Sequence, residues 1–140
     1  MVVSATFDSN VYVSALNYAG IPRRIFELAR TCQMRLDISN EIFAETARVL
    51  RDKFAWSDIR LDALKANLDS FANRVEPTEK LDVVKADPDD NKILECAVEA
   101  GSDYLVTGDK QVLKVGSHGK TVIVTPSEFL RILSQRGQDR

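Results

Sequence analysis

Short unbroken apolar runs alternate along this chain with longer stretches whose apolar positions recur every three or four residues. The first run, Val2 to Phe7, is dominated by β-branched and aromatic side chains and suits a short strand covered on both faces. It stops at Asp8. Ser9 and Asn10 then offer helix-capping side chains, and a helix is expected from Val11 to Leu16. Pro22 opens a second helix, with Ile25, Phe26, Leu28 and Ala29 on its apolar side and Arg23, Arg24 and Arg30 on a solvated face. Arg35 to Ile38 reads as a second strand. Ser39 or Asn40 caps a third helix that runs to about Phe54. On it Ile42, Phe43, Thr46, Ala47, Leu50 and Phe54 share one arc. Glu41 lies nearly opposite that arc, and Glu45 lies at its edge beside Val49. Trp56 follows as a core anchor.

Ser57 caps a fourth helix striped by Leu61, Leu64, Leu68, Phe71 and Ala72. Val75 and then Leu81 to Val84 predict the next strand region, with Pro77 in the turn between. Asp87-Pro88-Asp89-Asp90-Asn91 opens a fifth helix that buries Ile93, Leu94, Ala97 and Val98 and ends at Gly101. Asp103 to Asp109 is a strand that again ends in an acid, followed by a helical turn over Lys110 to Lys114. Thr121 to Val124 is the last strand. Thr125-Pro126-Ser127-Glu128 forms a capping box, and Phe129, Leu130 and Leu133 pack the final helix. This alternation predicts an α/β fold, a mostly parallel sheet with helices on both faces. One domain over residues 1–135 is expected, with residues 136–140 as a disordered tail.

Composition narrows the picture. A length of 140 residues with 44% hydrophobic content suits one domain with one sizeable core. No apolar run approaches the ~18 residues of a membrane span, and the N-terminus lacks a signal-peptide pattern. No membrane association and a cytoplasmic location are therefore expected. Cys32 and Cys96 have no metal-type spacing and read as buried reduced thiols. The single histidine, His118, reads as part of an exposed loop, which excludes chemistry needing several histidines. A net charge of −2 excludes a generally basic nucleic-acid binder. It leaves room for acids gathered around a cation that reverses the local field.

The acids form such a set. Asp8 and Asp109 each end a strand, and Asp87, Asp89 and Asp90 precede a helix that follows a strand region. In a parallel sheet these places share one edge, where α/β proteins bind ligands. Glu45 comes from a helix able to reach that edge. Carboxylates converging without arginine or histidine neighbours repel one another, and a hard divalent cation relieves the repulsion. Capping explains Asp87, Asp89 and Asp90 equally well. It explains Asp8 and Asp109 less well, because both end buried strands.

These residues resemble a family. Phe7-Asp8-Ser9-Asn10-Val11, Ser39 through Glu45 to Leu50, Asp87 to Asn91, Val106-Thr107-Gly108-Asp109-Lys110 and Pro126-Ser127-Glu128-Phe129-Leu130 together resemble PIN-domain ribonucleases, and within them the VapC-like toxins of toxin–antitoxin pairs. The likeness runs from Val2 to about Leu133. It implies a three-layer α/β/α sandwich around a five-stranded sheet of order 3-2-1-4-5. It also implies an endoribonuclease dependent on Mg²⁺ or Mn²⁺ that hydrolyses RNA without a covalent intermediate. By motif position the four catalytic and metal-binding acids are Asp8, Glu45, Asp90 and Asp109. Glu41 is the rival for Glu45, and Asp87 the rival for Asp90.

The same resemblance makes Asn10 and Thr107 the polar positions that orient ligands or waters. Lys92, Lys110 and Lys114 are candidates for holding the RNA backbone, with a plain surface role as the alternative. A toxin of this kind implies a homodimer and a cognate antitoxin that blocks the cleft. Two other functions stay open. One is a non-catalytic RNA- or protein-binding PIN module. The other is a phosphatase with Asp8 as nucleophile, which wants a second aspartate where this chain has Asn10.

Overall fold

The apolar run that ends at Asp8 becomes the middle of the sheet. In the computed structural model, which describes residues 2–85 and 87–138, strand β1 (Ser4–Phe7) is buried at all four positions. It pairs in parallel with β2 (Arg35–Ser39) on one side and β4 (Tyr104–Val106) on the other. Strand β3 (Asn73–Val75) extends the sheet beyond β2. Beyond β4 come β5 (Ser117–His118) and β6 (Thr121–Val124), with β6 the direct parallel neighbour of β4. The full order is β3-β2-β1-β4-β6-β5. The five parallel strands thus keep the expected order 3-2-1-4-5. The sixth strand is a two-residue antiparallel edge on β6.

Alternation along β1 divides the core between two faces. Thr6 projects toward helix α5 (Asn91–Ala100), where its hydroxyl lies 3.7 Å from Cys96 Sγ. Phe7 projects the other way, against Tyr12 of α1 (Ser9–Asn17) and Phe129 of α7 (Pro126–Gln138), with ring centroids 5.7 and 6.0 Å away. Phe26 of α2 (Ile21–Arg30) and Phe71 of α4 (Asp58–Phe71) continue that aromatic chain. Helices therefore cover both faces of the sheet. Trp56 is buried, its Nε1 donates to Asn17 Oδ1, and the Arg60 guanidinium lies 3.7 Å over its ring. No helix is long and apolar enough to cross a membrane among the described residues.

Helix starts follow the capping signals. Ser39 accepts from the Ile42 N–H at the start of α3 (Asn40–Phe54), and Ser57 accepts from the Arg60 N–H at the start of α4. Thr125 and Glu128 close the capping box of α7.

Several expectations are corrected. Helix α1 begins at Ser9, with Asp8 in the capping position, so neither Ser9 nor Asn10 is the cap. Leu81 to Val84 is not a strand. β3 is the edge of the sheet there, and the N–H groups of Leu81, Val83 and Val84 go to side chains of α5. His118 is half-buried in β5, because Gly119, at φ 58°, opens a tight turn that folds Ser117-His118 back onto β6. Cys96 is buried but Cys32 is exposed, in a left-handed turn (φ 60°) that closes α2. Helix α7 continues through Gln138, into the stretch expected as a tail, because Ser134, Gln135 and Arg136 do not break a helix. Residues 139–140 of that tail lie outside the described residues.

Candidate active site

All five parallel strands end at one edge, and the acids follow from that. Asp8 comes one residue after β1 and Thr107 one residue after β4. Their backbones stay in the sheet, with Asp8 N–H donating to Val106 O and Thr107 N–H to Val124 O. Helix α3 leaves the same edge from Ser39, so Glu45 stands in its second turn. A 3-10 turn over Pro88–Asp90 leads into α5 and brings Asp87 and Asp90.

Asp8 is 3% exposed. Its carboxylate makes no cap bond to α1. Instead it accepts from Thr107 Oγ1 at 2.7 Å and Ser9 Oγ at 3.3 Å, and it has no ion-pair partner among the described residues. Burial pushes its pKa up, with Asp109 adding to the effect, while Thr107, Ser9 and the Asn10 N–H oppose it. The Thr107 hydroxyl also accepts from the Asp109 N–H at 3.0 Å, so one buried side chain ties two of the acids together. Asp109 caps α6 (Lys110–Leu113) through Oδ1, which accepts from Gln111 N–H at 2.8 Å. Its second oxygen is left for other work.

Asp90 carries the clearest electrostatic signal. Its pKa is pushed up to about 7, first by burial and then by the negative charges of Asp109, Asp87, Asp8 and Glu45. It too makes no cap bond. Asp87, by contrast, is occupied as a cap, with Oδ1 accepting from Asp89 N–H at 3.0 Å. Glu45 is half-buried and loosely paired with Arg48 at 3.6 Å. Glu41 is exposed and bears on the Cys96 thiol rather than on Asp90. Asp109, Asp87, Asp8 and Glu45 therefore all bear on Asp90, Asp109 and Asp87 most strongly, although Asp87 also serves as a cap. Asn10 is exposed beside Asp8. Lys92, Lys110 and Lys114 are exposed, and Lys92 faces Asp89 at 3.6 Å.

These donors suit a hard cation. All are carboxylate oxygens, with no thiolate or imidazole among them. Among the described residues no three acids, histidines or cysteines stand in a ready-made coordination group. Mg²⁺ does not require one, since it takes one or two carboxylates and completes its shell with waters and substrate phosphate. Two residues escape the sequence reading. Ser9 turns its hydroxyl to Asp8, and Asn91 is buried beneath the acidic turn.

Comparison with known proteins gives the class. Residues 4–111 match the PIN domain. The chain belongs to the PIN domain family, whose members are generally nucleases that use Mg²⁺ or Mn²⁺. Its fold is similar to the crystal structure of PAE2754 from Pyrobaculum aerophilum, at a TM-score of 0.60 and 17% identity, over 96% of this chain and 90% of that one. A search of curated proteins gives no match.

Proposed function

We propose that this PIN domain is a divalent-metal-dependent endoribonuclease that hydrolyses RNA phosphodiesters at the edge holding Asp8, Glu45, Asp90 and Asp109. The observation that carries the reading is Asp90, half-buried with four other acids bearing on it and with no ion-pair partner of its own among the described residues. Asp8, Asp90, Asp109 and Glu45 would hold Mg²⁺ or Mn²⁺, which when bound supplies a water of lowered pKa and neutralises charge at the phosphoryl oxygens. Thr107 fixes Asp8 and Asp109 relative to each other. Lys92, Lys110 and Lys114 offer the RNA backbone positive charge at the rim, against an overall charge of −2. The motif set supports the finer reading of a VapC-like toxin, cytoplasmic and homodimeric, with a cognate antitoxin covering the cleft.

The test uses labelled structured and single-stranded RNAs with Mg²⁺, with Mn²⁺ and with chelator. Cleavage that requires the metal is expected. RNA bound tightly but left intact in Mn²⁺ would instead identify a non-catalytic PIN module.

The acid cluster also predicts a pH signature. Asp90 has a raised folded pKa, so its contribution to stability is complete below its ordinary carboxylate range. That contribution is lost as pH rises through about 7. Asp90→Asn should therefore match wild type near pH 4 and exceed it above pH 7 in cation-free buffer. Asp90 is only half-buried, so solvent screens the repulsion and the difference is on the order of 1 kcal/mol. Thermal melts at both pH values check this. Mn²⁺ should raise the wild-type Tm at high pH and leave the variant's nearly unchanged.

A further inference from the structure

Residues 76–85, between β3 and the acidic turn, form neither helix nor strand, yet their N–H groups need partners. Helix α5 provides them from three successive turns. Glu99 Oε1 accepts from the Thr78 N–H and hydroxyl at 3.0 and 2.9 Å. Glu95 Oε2 accepts from Leu81 N–H at 2.8 Å. Asn91 Oδ1 accepts from Val83 and Val84 N–H at 2.9 and 2.8 Å. Spacing of four residues puts all three on one face of α5, and the segment lies along it.

Asn91 differs from the two glutamates. It is 3% exposed, and its amide nitrogen also donates to Val84 O at 2.9 Å and Pro88 O at 3.2 Å. Both lone pairs of its oxygen and both of its N–H groups are thus engaged. Pro88 is the first residue of the 3-10 turn that ends at Asp90. Asp90 faces four like charges and has no side-chain cap bond of its own, so repulsion favours swinging its carboxylate out into water. Its backbone must hold it in place. A neutral amide does so without adding a charge, whereas a lysine or arginine there would occupy the acids in place of a cation.

We infer that Asn91 is a positioning residue for Asp90, locking the acidic turn to the strapped segment so that the Asp90 carboxylate faces the other acids. This rests on the metal-dependent nuclease reading above. It assigns Asn91 no contact with substrate or cation.

The test combines Mn²⁺ titration calorimetry with amide hydrogen exchange on the intact chain. Loss of a group that orients a ligand costs about 10–100-fold in metal affinity, so Asn91→Ala is expected to weaken Mn²⁺ binding by roughly tenfold or more. It should also speed exchange at the Asp90 N–H, which is bonded to Asp87 O. Glu99→Ala loosens only the far end of the segment and should bind Mn²⁺ as wild type does. Asn91→Asp keeps the acceptor for the Val83 and Val84 N–H groups but loses the donor to Val84 O and Pro88 O. It carries the exchange test if Asn91→Ala fails to fold, with Asp90 exchanging faster while Val83 and Val84 stay protected. Unchanged exchange at Asp90 in that variant overturns the role. So does an Asn91→Ala protein with wild-type Mn²⁺ affinity, provided wild type binds Mn²⁺. Wild-type protein that neither binds Mn²⁺ nor cleaves RNA overturns the nuclease reading, and this role with it.

Discussion

Asp8→Asn is expected to lower RNA cleavage by more than about a hundredfold while raising the melting temperature by a few degrees. The first half follows from the position of Asp8. Groups that merely orient a metal ligand cost about 10–100-fold when lost, and Asp8 is proposed as a ligand itself. The second half follows from burial. A carboxylate that is 3% exposed, without an ion pair, and beside Asp109 is held at a cost to folding. An amide of the same shape keeps an oxygen for Thr107 and offers Ser9 a donor. Relief of even 1 kcal/mol shifts the Tm of a chain this size by about 3–4 °C. Activity lost together with a raised Tm is the mark of a site that folding tolerates for function. Equal cleavage by wild type and variant, purified identically, would trace the activity to a contaminating ribonuclease or to another site. A lowered Tm would mean that Asp8 serves the fold.

What the sequence made legible here depended on how local each determinant is. Asp8 and Asp109 could be singled out because an acid ends a short buried run, a pattern confined to a few residues. The caps at Ser39, Ser57 and Thr125 are local too, and they fall where their side chains dictated. β3 was harder. Asn73-Arg74-Val75 has one apolar residue and becomes a strand only because β2 offers it an edge. The apolar Leu81 to Val84 stretch looked more strand-like, but its partners are side chains of α5 rather than a neighbouring backbone. Cys32 gave no sign that it would close α2 in a left-handed conformation, a place usually held by glycine. Asn91 looked like one more polar residue at a helix start. Its role needs Val83, Val84 and Pro88 at once, and only the folded chain brings them together.

The largest effect on stability is expected at Asp37, which sits between Leu36 and Ile38 in β2. Asp37 is fully buried in β2 and is met from three directions. Arg35 forks onto it with Nε at 2.7 Å and a second nitrogen at 3.1 Å. Asn73 of β3 donates at 2.9 Å, and Ser102, just before β4, donates at 2.6 Å. Ser102 is in turn 2.8 Å from Thr6 in β1, and Arg35 reaches Ala100 O at the end of α5. One carboxylate therefore links β2 to β3, to β1 and to the start of β4, and through Arg35 to the helix that covers them. Asp37→Ala leaves an arginine, an amide and a hydroxyl without their acceptor. Hydrogen bonds to a charged group are worth about 1.5–3 kcal/mol each, so the loss is on the order of 3–5 kcal/mol, against a total stability of about 5–15 kcal/mol for a domain. Urea unfolding should show a midpoint lowered accordingly, with an unchanged slope. Arg35→Ala should cost less, because the Arg35 side chain is 41% exposed and Asp37 keeps the Asn73 and Ser102 donors. Equal losses for the two variants would make the ion pair the essential element; the smaller loss for Arg35→Ala would make it the carboxylate's links across the sheet.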